Sequence, residues 1–255
     1  MAILNLTPDS FFDGNNNPTS QCLQNKINSF KYADIIDVGA ESSRPGALPV
    51  DENVELKRLS IIKKNNFNNK ILSIDSYKTN IIRFCLNNNF NLINDISGGG
   101  RDFKNIDIAK EYNVPIVIMH MQGNPLNMQD NPNYNNVLDD IICFFEKRLD
   151  YAEKIGFSKE NLIFDPGIGF GKSVKDNDRI LLNLDRIKNL GIKIMIGVSR
   201  KSFLSINNDL PKDRLEQSLG LLGLCVFNEV NIVRVHDVLP TYKTLRILDR
   251  IKYKN

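Results

Sequence analysis

Short apolar runs alternate with longer amphipathic stretches from one end of the chain to the other. The runs that read as strands are Ala2–Asn5, Ile35–Val38, Ile71–Asp75, Leu92–Asp95, Pro115–Met119, Leu162–Asp165, Ile194–Val198 and Ile232–Val235. Most are continuous and apolar, the pattern of parallel strands buried on both faces. Between them the period lengthens. Leu23, Ile27 and Phe30 predict a helix over 20–32, and Leu138, Ile141, Ile142, Phe145, Leu149 and Ala152 predict one over 134–155. Leu245, Leu248 and Ile251 or Lys252 predict a last helix over 240–252. Eight such units in 255 residues predict an α/β fold, a (β/α)8 TIM barrel formed by residues 1–255 as a single domain. The runner-up is a doubly wound open sheet, usually of about five to seven strands.

Composition narrows the partners. The chain is 42% hydrophobic and 25% charged, with a net charge of +3 spread along its length. That is the profile of an ordinary globular protein, with no basic block to bind nucleic acid. No apolar stretch reaches the length of a membrane span, and MAILNLTPDSF has neither the basic nor the apolar region of a secretory signal. The four cysteines (Cys22, Cys85, Cys143 and Cys225) have no metal-ligand spacing, which fits reduced thiols and a cytoplasmic setting. The NNN runs at 15–17 and 87–89 read as compositional bias.

Candidate chemistry lies where the strands stop. Asn5, Asp75, Asn94, Asp95 and Asp165 end apolar runs, the seventh run leads into Ser199-Arg200-Lys201-Ser202, and the eighth into Arg234-Val235-His236. In a barrel these ends meet at one mouth, where polar groups mark a site; any one alone could be a helix cap. Arg234 and His236, two apart on a strand, point the same way. With Asn5 they suit an anion, and the Asn5 oxygen suits Mg2+. Asp75, Asn94 and Asp165 suit the edge of a flat nitrogen heterocycle. Two glycine motifs fail. The run ending Gly171-Lys172-Ser173 lacks the first P-loop glycine, since Pro166 stands there, and Lys172 breaks GxGxxG. A flexible loop after Asp165 is the remaining reading. Gly98-Gly99-Gly100 fits either a close approach to a ligand or a plain turn, and His120 has no second ligand nearby in sequence.

These residues fall within ILNLTPDSFFDG (3–14), IIDVGAESSRPGA (35–47), SIDSYK (73–78), INDISGG (93–99), MHMQGNP (119–125), DPGIGFGK (165–172), SRKS (199–202) and RVHDV (234–238). In kind and order they resemble the dihydropteroate synthase family. The resemblance implies a transferase of folate biosynthesis that joins a dihydropterin methyl pyrophosphate to p-aminobenzoate and releases pyrophosphate. It implies that Asp75, Asn94, Asp165 and Lys201 bind pterin, and that Asn5, Arg234 and His236 hold pyrophosphate with Mg2+ as cofactor. It further implies that Ser43, Pro45, Phe170, Lys201 and Ser202 border the p-aminobenzoate site, under loops around 7–15 and 42–48. Lys201, Arg234, His236 and Asp75 are then the catalytic set, with no protein nucleophile. Sulfonamides would compete with p-aminobenzoate, and two copies would pair through 211–228 and 240–252 as a homodimer. Ser43 and Ser76 stand where the family more often has Thr, and Ala40 and Tyr32 where it more often has Gly. A short segment that in relatives precedes the first strand is lacking, so lower stability is expected. The alternative is a non-catalytic pterin- or folate-binding module of a methyltransferase system; it would need neither SRKS nor RVH.

Overall fold

The computed structural model describes residues 1–7, 20–67 and 69–253. Eight parallel strands follow one another in chain order: β1 (Ala2–Asn5), β2 (Ile35–Gly39), β3 (Ile71–Asp75), β4 (Leu92–Asp95), β5 (Ile116–Met119), β6 (Leu162–Asp165), β7 (Lys193–Ile196) and β8 (Ile232–Val233). The sheet closes on itself. Ala2 bridges Val235, Ile3 N–H donates to Val235 O at 3.0 Å, and Val235 N–H donates to Met1 O at 3.0 Å. The closed TIM barrel therefore replaces the open-sheet alternative.

The described helices are α1 (Ser20–Ser29), α2 (Glu52–Leu59), α3 (Thr79–Leu86), α4 (Lys104–Glu111), α5 (Val137–Lys154), α6 (Val174–Leu182), α7 (Leu184–Lys188), α8 (Leu215–Gly220), α9 (Leu222–Phe227) and α10 (Val238–Tyr253). Polar side chains start several of them. Asp51 accepts Asn53 N–H before α2, and Ser173 and Asp176 form a reciprocal cap on α6. β1, β3, β4 and β6 match the predicted runs, whereas β2 runs one residue further to Gly39, β5 starts one residue later at Ile116, β7 shifts to Lys193–Ile196 and β8 stops two residues early at Val233. Arg234 N–H still donates to Ile196 O at 2.9 Å, but His236 N–H donates to Ser199 Oγ at 3.1 Å, so on the β7 side a side chain takes the place of a strand carbonyl.

Period-2 alternation sorts the strands into two faces. Leu4, Ile36, Val38, Ile74, Ile93, Ile116, Ile118, Phe164 and Ile196 are buried against the helices. Leu23, Ile27 and Phe30 of α1 and Leu138, Ile141, Phe145 and Ala152 of α5 supply the other half of that layer. Phe145 stacks on Phe164 with ring centres 4.1 Å apart. Each fully buried side chain of this kind contributes about 1.5–3 kcal/mol. The alternate residues point inward. Met1, Leu92, Val117, Ile163 and Met195, with Ile35 and Ile232, plug the lower barrel as a separate apolar cluster. One step further along the strands the inward positions are Asn5, Gly39, Asp75, Asn94, Met119, Asp165, Gly197 and Arg234.

Candidate active site

The upper inward layer is polar because the strands change composition at their carboxyl ends. Register sets Asn5, Gly39, Asp75 and Asn94 side by side across four strands. A side chain at Gly39 would meet Asp75 Oδ2 at 3.3 Å and Asn5 Oδ1 at 3.4 Å. The missing Cβ thus leaves room between these two groups.

Asp37, one layer deeper on β2, organises the floor. It has no solvent exposure. Its Oδ2 accepts Arg234 Nε at 2.6 Å and Asn94 Nδ2 at 2.8 Å. Arg234 Nη2 donates to Asp75 Oδ2 at 2.6 Å. Two carboxylates thus grip one guanidinium by Nε and Nη2, leaving Nη1 for a ligand. Burial works against the Arg234 charge, but Asp37 and Asp75 outweigh it and hold its pKa above the ordinary value. Burial raises the Asp75 pKa, with Arg234 opposing. Because Asn94 Nδ2 is committed to Asp37, an acceptor-only group, Asn94 Oδ1 is the atom left to accept from a ligand. Asp165 is held similarly, with Gly167 N–H donating to Oδ1 at 2.8 Å. Asp75, Asn94 and Asp165 each have one side-chain atom held by protein and another left for a ligand N–H, as preorganised recognition requires.

Lys201 faces this acceptor set. Its ammonium donates to Ile168 O and lies 4.3 Å from the centre of the Phe170 ring. Burial lowers its pKa to about 8, Asp165 pulling it back up and Arg234 pushing it further down. At the rim, His236 is exposed, and its Nδ1 lies 3.1 Å from Ser199 Oγ. That hydroxyl also accepts His236 N–H; when it donates to Nδ1, the ring carries its hydrogen on Nε2. Desolvation by the surrounding walls, then Arg234 and Arg200, hold the histidine below its ordinary pKa.

Asn5 offers a metal one amide oxygen. Among the described residues no group of three or more His, Cys, Asp or Glu side chains gathers to hold a metal. A Mg2+ that arrives with phosphates and waters needs only one or two protein oxygens. Asn5 Oδ1, at the rim of the polar layer, fits that demand.

The other predicted residues divide. Phe170 and Lys201 lie together. Ser43 lines a separate small hollow with Asp75, Ser76, Tyr77 and Ile96, whereas Pro45 and Ser202 are exposed. Of the two covering loops, residues 8–15 of the first lie outside the described residues. The loop after Asp165, expected to be flexible, is stapled. Lys172, buried, donates to His120 O at 3.1 Å and Phe170 O at 2.9 Å, and Gly169 N–H donates to Asn177 Oδ1 at 2.7 Å. A Cβ at Gly167, whose φ is +70°, would lie 2.0 Å from His120 O; glycine is there for contact as well as conformation. Gly98 similarly packs on Phe144, and Gly99 N–H donates to Asp95 Oδ2 at 3.0 Å, so this glycine run is a turn held by Asp95. His120 is buried edge-on to Phe144, with ring centres 4.9 Å apart, and burial pushes its pKa down to about 2. Sequence reasoning missed Asp37. Its signal was a carboxylate in the middle of an apolar run, two residues before the strand end.

Known proteins share this chain's family and fold. A family profile described as "Pterin binding enzyme" matches residues 1–236. Dihydropteroate synthase of Clostridium beijerinckii is 38% identical over 98% of this chain and 93% of its own length. Among solved structures, Yersinia pestis dihydropteroate synthase in a sulfonamide drug complex superposes with a TM-score of 0.90 at 34% identity, over 99% of this chain and 93% of that one. The Xanthomonas albilineans dihydropteroate synthase with 4-aminobenzoic acid gives a TM-score of 0.90 at 32% identity, over 100% of this chain and 93% of that one.

Proposed function

The chain belongs to the pterin binding enzyme family, as one of its dihydropteroate synthases, and from that premise we propose how its barrel mouth divides the reaction. The enzyme is a transferase of folate biosynthesis. It condenses 6-hydroxymethyl-7,8-dihydropterin pyrophosphate with p-aminobenzoate to give 7,8-dihydropteroate and pyrophosphate. The observation that carries the division is the convergence of Asp75, Asn94 and Asp165 with Lys201 and Arg234 in and around one inward layer.

The pterin ring lies in that layer. Its N–H groups donate to Asp75, Asn94 Oδ1 and Asp165, and Lys201 donates to its carbonyl oxygen. Arg234 Nη1 and the Nε2–H of His236 point to the pyrophosphate, where negative charge grows as the C–O bond breaks. Asn5 would hold Mg2+ beside it; that ion supplies charge neutralisation to the leaving group. As pyrophosphate departs with the bonding electron pair, the pterin methylene becomes cationic, and the carboxylates of Asp75 and Asp165 favour that charge. The amine of p-aminobenzoate then forms the new C–N bond and loses a proton to solvent. Phe170, Lys201 and Ser202 border it on one side, Ser43 and Pro45 on the other. The protein's contribution is orientation and charge, with no covalent intermediate.

Sulfonamides are expected to compete for the aryl-amine side. The barrel works as one domain in the cytoplasm; among the described residues no helix is long and apolar enough to cross a membrane. Two copies pair through α10, supported by the exposed stripe Leu239, Ile247 and Ile251 and by the neighbouring Phe227. Light scattering on the purified protein would show a mass of two chains. The test of function is pyrophosphate release, which must require both substrates. Tight pterin binding without release would overturn the catalytic reading.

A further inference from the structure

The loop between β2 and α2 leaves and returns to the same ammonium. Lys78, at the start of α3, donates through Nζ to Glu41 Oε2 at 2.6 Å, Val50 O at 2.5 Å and Glu55 Oε2 at 2.8 Å. Three hydrogens meet three acceptors. Glu41 Oε2 also accepts Val50 N–H at 2.7 Å, which ties the two roots of the loop to each other. Arg58 Nη1 holds Ala40 O at 2.6 Å as a second clamp on the entering root. At the tip, Gly46 N–H donates to Pro125 O at 2.9 Å, so the loop reaches over to the segment after β5. Between root and tip, Ser42, Ala47 and Pro49 wall a cavity of about 340 Å3 with Tyr77, Ile96 and Met119.

This cluster is too closed to be a surface ion pair. The Lys78 and Glu41 side chains are 12% exposed and Glu55 only 1%. Pairing Lys78 with Glu55 alone would suffice to join α2 to α3. The bonds to Glu41 and Val50 act on the loop and on nothing else. One cation between two carboxylates also fixes their separation; without it, two buried negative charges face each other and Glu41 must turn out to water.

We propose that Lys78 is a positioning residue for the aryl-amine half of the site. It sets the wall that carries Ser43 and Pro45 by anchoring both roots of the 40–51 loop. The proposal rests on the reading that Ser43 and Pro45 border p-aminobenzoate. It predicts an effect on one substrate and not the other, because Asp75, Asn94 and Asp165 are held by bonds that do not pass through Lys78.

The experiment uses the full chain, steady-state kinetics with each substrate varied, and hydrogen exchange read by mass spectrometry over 41–50. Glu41→Gln keeps the Lys78–Glu55 pair. Lys78→Met/Glu55→Gln removes the anchor and leaves Glu41 as a lone carboxylate that turns to water, and Lys78→Arg is the conservative rescue. Both disrupted variants are expected to exchange faster over 41–50. Their KM for p-aminobenzoate should rise about five- to tenfold, the scale of one neutral hydrogen bond lost. KM for the pterin pyrophosphate should stay within about twofold, and Lys78→Arg should recover most of the loss. Unchanged exchange would overturn the anchor. Faster exchange with both KM values unmoved would overturn its link to the aryl amine and fault the placing of Ser43 and Pro45. A parallel rise in both KM values would reveal general loosening and would equally overturn the proposal.

Discussion

Replacing Asp37 by asparagine removes a charge from the floor of the site while keeping its shape. The carboxylate oxygen Oδ2 takes two hydrogen bonds, from Arg234 Nε at 2.6 Å and Asn94 Nδ2 at 2.8 Å. Bonds to charged groups net about 1.5–3 kcal/mol and neutral ones about 0.5–1.5. Neutralising the acceptor therefore weakens each by about 1–1.5 kcal/mol. Relief of a fully buried carboxylate, whose Oδ1 has no partner among the described residues, offsets part of this. Arg234 keeps Asp75 as a second partner, which prevents the full cost of a stranded charge. The expected net loss is about 2 kcal/mol. Urea unfolding would read it as a lower midpoint at unchanged slope. A cycle of Asp37→Asn with Arg234→Met should give a coupling of about 1–3 kcal/mol. A shift under about 0.5 kcal/mol, within the usual range for innocuous substitutions, or a coupling of zero would refute the view that Asp37 aims the guanidinium.

Asp165→Ala should abolish pterin binding in a titration calorimeter; retained affinity would remove Asp165 from the pterin site. Arg234→Ala should weaken the pyrophosphate substrate by about 1.5–3 kcal/mol, and unchanged affinity and rate would sink the anion assignment. Gly167→Ala, with its Cβ 2.0 Å from His120 O, should destabilise far more than Gly156→Ala, which has the same sign of φ but nothing within 4 Å. The latter should cost about 1 kcal/mol by thermal melting, and equal losses would show that contact at Gly167 is unimportant. Lys172 is pushed down to about 7 by burial from its ordinary 10.5. Between those values the unfolded chain binds the extra proton, so this group's contribution to stability rises with pH across the window. Subtracting the stability of Lys172→Met from that of the parent should give a difference that climbs from about pH 7 to 10; parallel curves would contradict a buried amine.

Much of this was readable from the chain because a parallel barrel writes its strands as apolar runs and its site at their ends. Position alone put Asn5, Asp75, Asn94 and Asp165 at one mouth, and the register sets them in one inward layer. The failures share a cause: side-chain partners far apart in sequence. Asp37 meets Arg234 across 197 positions, and no local pattern announces it. Asn94 and Asp95 look alike as strand-end polar residues, yet alternation sends Asn94 inward. Asp95 turns outward, to Ser97, Gly99 and Asn105. Counting parity along the strand would have separated them. The glycines after Asp165 suggested mobility because glycine is permissive. In the fold they admit the carbonyls of His120 and Gln122 at close range, which immobilises the loop. The 40–51 loop was legible as a loop, but its anchor was not, since Glu41, Glu55 and Lys78 belong to three separate segments.

Gly39 and Gly197 occupy two inward positions of the upper layer, and neither has the positive φ that would demand glycine. They are there for space. The ligand chamber is, in this sense, core that was never filled. An alanine at Gly197 would find only Arg234 Cβ, at 3.9 Å. It would sit comfortably and add apolar packing. One at Gly39 would press on Asp75 and Asn5. Selection for heat resistance alone would therefore favour plugging Gly197 and would yield a sturdier barrel with a shallower mouth. At Gly39 packing already disfavours a side chain, whereas at Gly197 the vacancy adds nothing to stability and serves the chamber alone.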